Sequence, residues 1–312
     1  MMTNDSAVLA ENASLVVVGK KHVLELMITA LIAEGHVLLE DVPGLGKTLM
    51  AKALAKSMGG IFRRIQFTPD LLPTDVTGFS VYDQKTGEFI FHPGPVFCNV
   101  LLADEINRTI PRTQASLLES MGEFQVTVDG KTSALPRPFF VIATQNPIDM
   151  DGTFPLPEAQ LDRFLMRIDL GYPTREEEIS ILERFQEDDP LENLSPVLNP
   201  ERICELQKKR ASITISPEVR AYIADLAEAT RAHSRVHFGV SPRGALGMMR
   251  AAQGFASLRG RDYVTPDDIK ALSRPVLLHR IILKKEERTR GACAADVLAE
   301  VLEEVPVPVS SS

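Results

Sequence analysis

The chain lacks several features that mark secreted, membrane-spanning or disulfide-bonded proteins. Its only cysteines, Cys98, Cys204 and Cys293, are odd in number and widely spaced, so we expect neither a disulfide framework nor a zinc site. No run of about 18 apolar residues occurs that could span a membrane. The N-terminus has no basic region followed by a long apolar core, so no secretory signal is expected and the cytoplasm is the predicted location.

The sequence is also poor in features that favour nucleic-acid binding. It has no tryptophan, only 4 tyrosines, a formal net charge of −8 and no evident basic tract, all of which weigh against a nucleic-acid partner. Hydrophobic residues make up 44% and charged residues 24%, which is ordinary for a globular protein. With 312 residues the chain is long enough for two domains.

A strand, a glycine-rich turn and a helix are predicted over residues 37–56. Residues 37–39 form a short apolar run typical of a buried strand, and residues 48–56 are rich in helix-forming residues. Between them, Gly44 and Gly46 allow unusual backbone dihedral angles and a close approach to a ligand. This order aims several backbone N–H groups at an anion, as in the phosphate loop G-x-x-x-x-G-K-[ST].

The side chains of this loop indicate a nucleoside triphosphate with Mg²⁺. Lys47 is expected to reach the β- and γ-phosphates and Thr48 to bind Mg²⁺. Asp41 occupies the first glycine position of the pattern, so its carboxylate must turn away from the phosphates. The loop residues expected to contact the nucleotide are Pro43, Gly44, Leu45, Gly46 and Leu49. The alternative is an ordinary strand-to-helix turn.

An acidic pair follows a second predicted buried strand, residues 100–103. Ligands of open α/β sheets bind outside the carboxyl ends of the strands, where Asp104 and Glu105 would lie. Asp104 is expected to hold Mg²⁺ through a bound water, and Glu105 to orient and polarise the attacking water. The alternative is a helix N-terminus bearing carboxylates that the helix dipole favours.

Two later segments supply further candidates for contact with the γ-phosphate. Asn146 follows a third apolar strand, residues 139–143, and can hydrogen-bond the γ-phosphate or the lytic water, although Asn-Pro is also a plain turn signal. Ser241 followed by Pro242 predicts a helix start, which puts Arg243 in the first turn. A cation there opposes the helix dipole unless an anion such as the γ-phosphate is near; the alternative is a solvent-facing arginine.

Alternating strands and helices predict a parallel sheet covered on both faces, over residues 11–172. The strands are expected near residues 37–39, 62–67, 100–103, 139–144 and 165–170. Residues 173–305 show no comparable strand pattern and predict an all-helical lid closing over the nucleotide. Its helix starts are predicted at Thr174, with Glu177 three residues on, and at Ser216, Ser241 and Thr265. Residues 1–10 and 306–312 are expected to be disordered.

The order of these motifs resembles the MoxR group of AAA+ ATPases over roughly residues 10–285. The matching stretches are EDVPGLGKT, FTPDLLPTDVTGFSVYDQKTGEF, HPGPVF, LLADEINR, GEFQVTVDGK, PFFVIATQNP, GTFPLPEAQLDRFL and GVSPRG. An acidic residue before VPG, as at Asp41, is common in that family. The resemblance implies an AAA+ core with a helical lid, ATP and Mg²⁺ as cofactors, and a hexameric ring with ATP between neighbouring subunits.

The resemblance also implies that Arg163, in Leu-Asp-Arg-Phe, acts as an arginine finger across the subunit interface. Without the family, an Asp-Arg pair on a helix is usually a solvated surface. Arg108 and Arg112 are the competing candidates. For the adenine pocket the candidate is the apolar-glycine pair Val18 and Gly19.

Two β-hairpins are predicted, at about residues 78–95 and 122–138. In the second, Asp129 and Gly130 are a strong type I′ turn signal. In the ring family these look like insertions that face the central pore and couple hydrolysis to a partner. The alternative is that both are surface hairpins without such a role.

The family resemblance implies a remodelling chaperone that matures other proteins, often with a von Willebrand factor A-domain partner. Three alternatives stay open at this point: a nucleic-acid motor, a magnesium-chelatase-like subunit that drives metal insertion, and a non-hydrolytic nucleotide-binding scaffold. The intact Lys47, Asp104 and Glu105 weigh against the scaffold.

Overall fold

The computed structural model describes residues 4–40, 44–145, 153–186 and 189–308. The helices are α1 (Asp5–Ser14), α2 (Lys21–Ile32), α3 (Lys47–Ser57), α4 (Pro73–Thr77), α5 (Pro111–Glu123), α6 (Glu158–Leu161), α7 (Arg175–Arg184), α8 (Pro200–Arg210), α9 (Pro217–Ala232), α10 (Pro242–Leu258), α11 (Pro266–Leu277), α12 (Lys285–Thr289) and α13 (Ala294–Glu304). The strands are β1 (Val37–Glu40), β2 (Phe62–Gln66), β3 (Gly78–Asp83), β4 (Glu88–Pro93), β5 (Val100–Asp104), β6 (Gln125–Val128), β7 (Lys131–Ala134), β8 (Phe140–Gln145), β9 (Met166–Ile168), β10 (Val236–Phe238) and β11 (Ile282–Leu283).

The central sheet has five parallel strands in the order β2-β5-β8-β1-β9. Its strands are apolar runs because helices cover both faces. Alternate residues point to opposite sides: Leu39 and Ile142 join one apolar cluster, whereas Leu38 and Val141 join a second. The predicted α/β fold with a parallel sheet is thereby confirmed. The strands lie within two residues of their predicted positions.

Polar residues collect at the carboxyl ends of the three middle strands. Glu40, Asp104 and Gln145 end β1, β5 and β8, and each is partly exposed beside otherwise buried strand residues. Since these strands are parallel neighbours, their polar ends meet at one edge of the sheet. This edge is where the phosphate loop and the acidic pair lie.

The lid begins after β9 and is helical apart from the short antiparallel pair β10–β11. The predicted helix starts are confirmed, because Thr174, Ser216, Ser241 and Thr265 are N-caps that accept a backbone N–H with their hydroxyls. Thr174 forms a capping box with Glu177, as its spacing predicts. The lid helices share one apolar cluster with α2 and β1, so the lid packs directly on the domain that contains the central sheet.

Two hairpins extend from the core at the predicted places. β3 pairs with β4 and β6 pairs with β7, both antiparallel. At the tip of the second hairpin, Asp129 and Gly130 both have positive φ, at 51° and 75°, as a type I′ turn requires.

One expectation about the chain ends is wrong. Residues 5–10, expected to be disordered, lie in α1, which is capped by the side chain of Asn4. Leu9 and Ala13 are fully buried on one face of this helix, and their burial offsets the cost of ordering it. At the other end, residues 306–308 have no regular structure. Among the described residues, no helix combines the length and apolar character needed to cross a lipid bilayer.

Candidate active site

The phosphate loop leads from β1 into α3. Gly44 and Gly46 have φ of 89° and 81°, in the left-handed region that favours glycine. A Cβ added at either would meet nothing within 4 Å, so the loop opens onto free space. Gly46 is the N-cap of α3 and provides no side-chain acceptor for the first helical N–H groups. The N-terminus of α3 therefore faces this open space, an arrangement suited to binding an anion. Asp41 and Pro43 lie outside the described residues.

The acidic pair is held in place by a threonine from the neighbouring strand. The Thr144 hydroxyl donates to Asp104 Oδ1 at 2.6 Å and accepts the Glu105 backbone N–H at 2.8 Å. Glu105 itself has φ of 56°, an unfavourable conformation for a residue with a Cβ. This backbone conformation turns the Glu105 side chain away from the direction that the strand would give it.

Two side chains of β2 complete the contacts of the carboxylates. Arg64 donates to Asp104 Oδ2 at 2.7 Å, and Gln66 donates to Glu105 Oε2 at 2.8 Å. Arg108 also contacts Glu105 Oε2, with its Nε at 3.0 Å. Arg64, Gln66 and Thr144 were not predicted as site residues from the sequence. The available signal was the two-residue spacing of Arg64 and Gln66, which puts both on one face of a strand beside β5.

A polar cavity and an apolar cavity meet at the phosphate loop. The first, of about 420 Å³, is lined by Gly44, Gly46, Lys47, Thr48, Leu49, Arg64, Gln66, Asp104, Glu105 and Thr144. The second, of about 150 Å³, is lined by Val16, Val17, Val18, Lys20, Gly44, Leu45, Gly46, Leu49, Met50, Pro173, Ile181 and Phe185. Both are bounded by the same two glycines. An apolar cleft continuous with a polar one suits a ligand with a flat apolar ring and a charged tail.

Val18 and Gly19, the predicted adenine-pocket pair, have different roles in the structure. Val18 lines the apolar cavity, as the adenine-pocket prediction requires. Gly19 is not among the lining residues; it has φ of 72°, and a Cβ there would lie 2.2 Å from the carboxyl carbon of Glu177. Gly19 thus allows the start of lid helix α7 to pack closely, and it shapes the pocket without lining it. Asn146 lies outside the described residues, so its role stays a prediction.

Arg163 and Arg243 do not line either of these cavities. They lie together in a third cleft, of about 440 Å³, which also holds Arg250, Arg280 and His36. Arg163 donates to the carbonyl of Leu118 at the interior of α5. We call this the arginine cleft.

The arginine cleft lies at the amino ends of the strands whose carboxyl ends carry the phosphate loop. His36 immediately precedes β1, and Arg163 precedes β9, whereas Gly44 follows β1. Because β1 has 4 residues, its two ends are roughly 13 Å apart. Arg243 is therefore not among the residues that line the phosphate-loop cavity of its own chain, and its contact with a γ-phosphate stays a prediction. Its helix is fixed at the opposite end of the sheet.

His36 is a neutral side chain built into the floor of the arginine cleft. Its Nδ1 accepts the Val141 N–H at 3.0 Å, so Nε2 carries the proton and donates to the Met121 carbonyl at 3.1 Å. Burial lowers the pKa of His36 to about 4, and the hydrogen bond to Met121 acts in the opposite direction. This imidazole joins α5, β8 and the start of β1 without adding charge to the cleft.

Comparison with known proteins gives consistent similarities over the whole chain. Residues 36–166 match the family described as "ATPase family associated with various cellular activities (AAA)", and residues 228–301 match "AAA lid domain". The chain is 51% identical over 302 residues to the uncharacterized protein YeaC of Bacillus subtilis, covering 97% of this chain and 94% of YeaC. A crystal structure of a protein from Cytophaga hutchinsonii, proposed to be an ATPase, superposes with a TM-score of 0.92 at 39% identity, covering 98% of this chain and 96% of that one.

Named relatives identify the branch of the AAA proteins. The chaperone MoxR1 of Mycobacterium tuberculosis is 42% identical over 302 residues, covering 94% of this chain and 80% of MoxR1. The protein MoxR of Methylorubrum extorquens is 33% identical over 317 residues, covering 94% of this chain and 92% of that protein. These similarities span the nucleotide-binding core and the lid together. This chain belongs to the MoxR family of AAA+ ATPases.

Proposed function

We propose that this protein is a Mg²⁺-dependent ATP hydrolase that acts as a ring and remodels other proteins. The observation that carries the proposal is the division of its charged groups between two ends of the sheet. Lys47, Thr48, Asp104 and Glu105 face one cavity at the carboxyl ends, whereas Arg163 lies in a cleft at the amino ends. A site divided in this way is complete only when a second subunit contributes its arginine cleft.

The donor set of the polar cavity fits Mg²⁺. The hydroxyl of Thr48 and the carboxylate of Asp104 are hard oxygen donors of the kind that Mg²⁺ prefers. The described residues contain no group of three or more His, Cys, Asp or Glu side chains that could hold a metal alone. Mg²⁺ of this type is bound by one or two protein oxygens together with substrate phosphates and waters, and it offsets the charge that develops on the phosphates.

The chain's own residues would divide the remaining work. Lys47 and the N–H groups at the start of α3 bind the phosphates, and Glu105 orients the attacking water and accepts its proton. Gln66 and Arg108 both contact Oε2 of Glu105, which leaves Oε1 available to the water. Thr144 fixes the backbone of the same residue, so its carboxylate is held before substrate binds.

The second half of the site comes from a neighbouring subunit. Arg163 and Arg243 share one cleft and are both exposed, so they can meet a nucleotide bound to another chain. A guanidinium that reaches the transferring phosphoryl group stabilises charge in the transition state. The family resemblance supports a hexamer as the ring that brings these halves together.

The hairpin β3–β4 is the proposed contact with client proteins. Its two faces both carry exposed apolar side chains: Tyr82 and Phe89 pair on one face with ring centroids 5.3 Å apart, and Val81 faces Ile90 on the other. Phe89 is 66% exposed, and its neighbours Val81, Tyr82 and Ile90 are exposed as well, so the ribbon has a contiguous apolar surface of the kind that marks interaction sites. Such a ribbon suits an extended apolar polypeptide.

The charges of this hairpin argue against the nucleic-acid alternative. Asp83 and Glu88 flank a tip that has a single lysine, Lys85, and no arginine. A surface that binds nucleic acid needs several cations along the phosphate backbone. A von Willebrand factor A-domain protein as accessory partner stays part of the proposal on the family resemblance, and its copurification with this protein would test it.

The ring mechanism is tested by mixing two inactive variants. Arg163→Ala lacks the finger but keeps its phosphate loop and Glu105, whereas Glu105→Gln keeps the finger. Mixed in equal amounts, they should regain Mg-ATP hydrolysis at about one quarter of the subunit junctions, because each such junction joins an intact half from each variant. Full activity of Arg163→Ala alone, or no recovery on mixing, would overturn the trans arrangement.

The hairpin role is tested separately. Replacement of residues 82–89 with a two-residue Asn-Gly turn removes the Tyr82–Phe89 pair from the tip and leaves residues 78–81 to pair with residues 90–93. ATP hydrolysis should be unchanged, and binding of a permanently unfolded, reduced and alkylated test protein should fall at least about tenfold, because the exposed aromatic pair at the tip is lost. Unchanged binding would reject the hairpin as the client contact.

A further inference from the structure

We propose that Arg280 of the lid, with Asp162 and Ser241, forms a clamp that positions both Arg163 and Arg243 against a neighbour's nucleotide. Neither Arg280 nor Ser241 is expected to touch the phosphates; they are positioning residues. The proposal rests on the proposed ring mechanism, in which Arg163 acts in trans. Residues 162–165, which contain Arg163, are called the finger loop. Through the buried guanidinium of Arg280, the lid sets the geometry of this loop.

Arg280 contacts the residues on both sides of Arg163. Its Nε donates to Asp162 Oδ1 at 2.7 Å, and its Nη2 donates to the Phe164 carbonyl at 2.7 Å. Nη1 donates to the Leu165 carbonyl at 3.2 Å and to the carbonyl of Val276 in the lid. A guanidinium has five N–H donors in a rigid planar fork, so these contacts fix the loop in direction as well as in distance.

The same carboxylate fixes the helix that carries Arg243. The Ser241 hydroxyl donates to Asp162 Oδ2 at 3.2 Å and also accepts the N–H of Gly244 as the N-cap of α10. Gly244 completes the fit, because a Cβ there would lie 2.8 Å from Cδ of Arg280. This explains the glycine of the Ser-Pro-Arg-Gly sequence: it leaves room for the clamp.

A second lid side chain adds to the clamp. His279 Nε2 lies 3.1 Å from the Phe164 carbonyl, the same oxygen that Arg280 contacts. Both residues belong to the single 3₁₀ turn Leu278–Arg280 that follows α11. Any shift of this turn relative to the core would therefore move the finger loop with it.

The cost of burying Arg280 indicates that its role is geometric. The side chain is 4% exposed, and burial lowers its pKa, whereas Asp162 acts in the opposite direction. Buried ion pairs of this type contribute little net stability compared with apolar residues of similar volume. A fork of charged hydrogen bonds does give a fixed orientation, which a transition-state contact needs, since misplacement by about 1 Å can cost about a hundredfold in rate.

The test compares Arg280→Met with Arg261→Met. Arg261 forms a similar two-bond ion pair with Asp268, at 2.6 and 2.9 Å, but wholly within the lid and away from the finger loop. Arg280→Met should lower kcat for Mg-ATP hydrolysis about 10- to 100-fold with KM changed less than about twofold, while Arg261→Met should change neither by more than about twofold. Arg280→Lys keeps the charge without the fork and should resemble Arg280→Met in kcat. Thermal unfolding of each variant, expected to resemble that of the wild type, excludes misfolding as the cause.

Mixing experiments show whether Arg280 acts on the nucleotide of a neighbouring subunit, through Arg163, or on the nucleotide bound to its own subunit. If the clamp acts on the finger, Arg280→Met mixed with Glu105→Gln regains activity, and Arg280→Met mixed with Arg163→Ala does not, because both lack the same half. The opposite pattern would show that Arg280 serves the nucleotide of its own chain and would overturn the proposal. Equal losses in Arg280→Met and Arg261→Met would also overturn it. Failure of the ring mechanism itself is recognised independently, by no recovery when Arg163→Ala is mixed with Glu105→Gln.

Discussion

The two ends of the central sheet hold their charged side chains in different ways. At the carboxyl ends, Arg64 pairs with Asp104 and Arg108 pairs with Glu105, so the charges balance within one chain. At the amino ends, Arg163 contacts a backbone carbonyl and Arg243 lies close enough to Arg280 for its charge to lower the pKa of Arg280.

This difference indicates what each end lacks. Among the residues that the structure describes, neither Arg163 nor Arg243 forms an ion pair with a carboxylate. Cations crowded together repel one another, and an anion that enters from outside relieves that repulsion. The carboxyl end is organised before any partner arrives. At the amino end Glu34, Glu123 and Asp162 also line the cleft, but Arg163 and Arg243 are exposed and Asp162 is paired with Arg280. An anionic nucleotide on a neighbouring subunit would supply a counterpart to these two exposed arginines.

The comparison is tested most strongly at Arg163. Arg163→Ala should lower kcat about 10³- to 10⁵-fold, the range for loss of an arginine finger, with ATP affinity unchanged within about twofold. Arg112→Ala, which removes an exposed arginine from the first turn of α5, is the matched control and should have little effect. Steady-state ATPase assays and equilibrium nucleotide titration would measure the two quantities. Equal losses in both variants would remove the distinction between the two ends.

At the carboxyl end of the sheet, a substitution in the phosphate loop should affect ATP binding, whereas Arg163→Ala affects kcat. Lys47→Ala should weaken ATP binding about 10- to 100-fold, since a hydrogen bond to a charged group contributes about 1.5–3 kcal/mol. Lys52→Ala, an exposed lysine farther along α3, is its control. Titration with a fluorescent ATP analogue would measure the dissociation constants. Unchanged affinity in Lys47→Ala would mean that the phosphates are not held by this loop.

The amino end should also make the fold sensitive to acid through His36. Its pKa is about 4 in the fold and 6.5 when free, so the unfolded chain binds more protons between these values. The stability present above pH 6.5 is therefore lost as the pH falls toward 4, by about 2 kcal/mol between pH 7.5 and 5.

Urea unfolding of the wild type and His36→Gln at these two pH values measures this term. The pKa of His279 is also lowered by burial, so wild type retains some acid sensitivity from that residue. Only the difference between the two proteins reports on His36. An identical loss of stability in both would show that His36 does not contribute.

The site residues at the carboxyl end of the sheet were easier to predict from the sequence than the grouping of arginines at the amino end. Lys47, Thr48, Asp104 and Glu105 lie in short motifs whose chemistry depends on local order, and the structure brings them to one cavity. The grouping of Arg163 with Arg280 could not be read in the same way, because it depends on how the lid docks on the sheet.

Thr144 was missed for a related reason. It ends an apolar run, and threonine is itself enriched in strands, so its position did not indicate a role. Only the pairing of β5 with β8 brings its hydroxyl to the acidic pair. The local sequence pattern predicts where strands and loops occur, whereas the topology of the sheet determines which strands lie next to each other. The residues missed at this site, Arg64, Gln66 and Thr144, are all contributed by strands adjacent to β5.

Substitution of Thr144 should give the smallest effect on kcat at the carboxyl end of the sheet, and it tests a single hydroxyl group. Thr144→Val keeps the side-chain shape but removes the hydroxyl shared by Asp104 and the Glu105 backbone, so kcat should fall about tenfold, as expected for loss of a hydrogen bond to a charged group. Thr144→Ser retains the hydroxyl and should keep most of the activity, which separates hydrogen bonding from packing. If both variants lose activity equally, the methyl group and its packing matter more than the hydroxyl. If neither does, Glu105 is held by its unusual backbone conformation and by its contacts with Gln66 and Arg108, and preorganisation of the carboxyl end does not depend on its neighbouring strand β8.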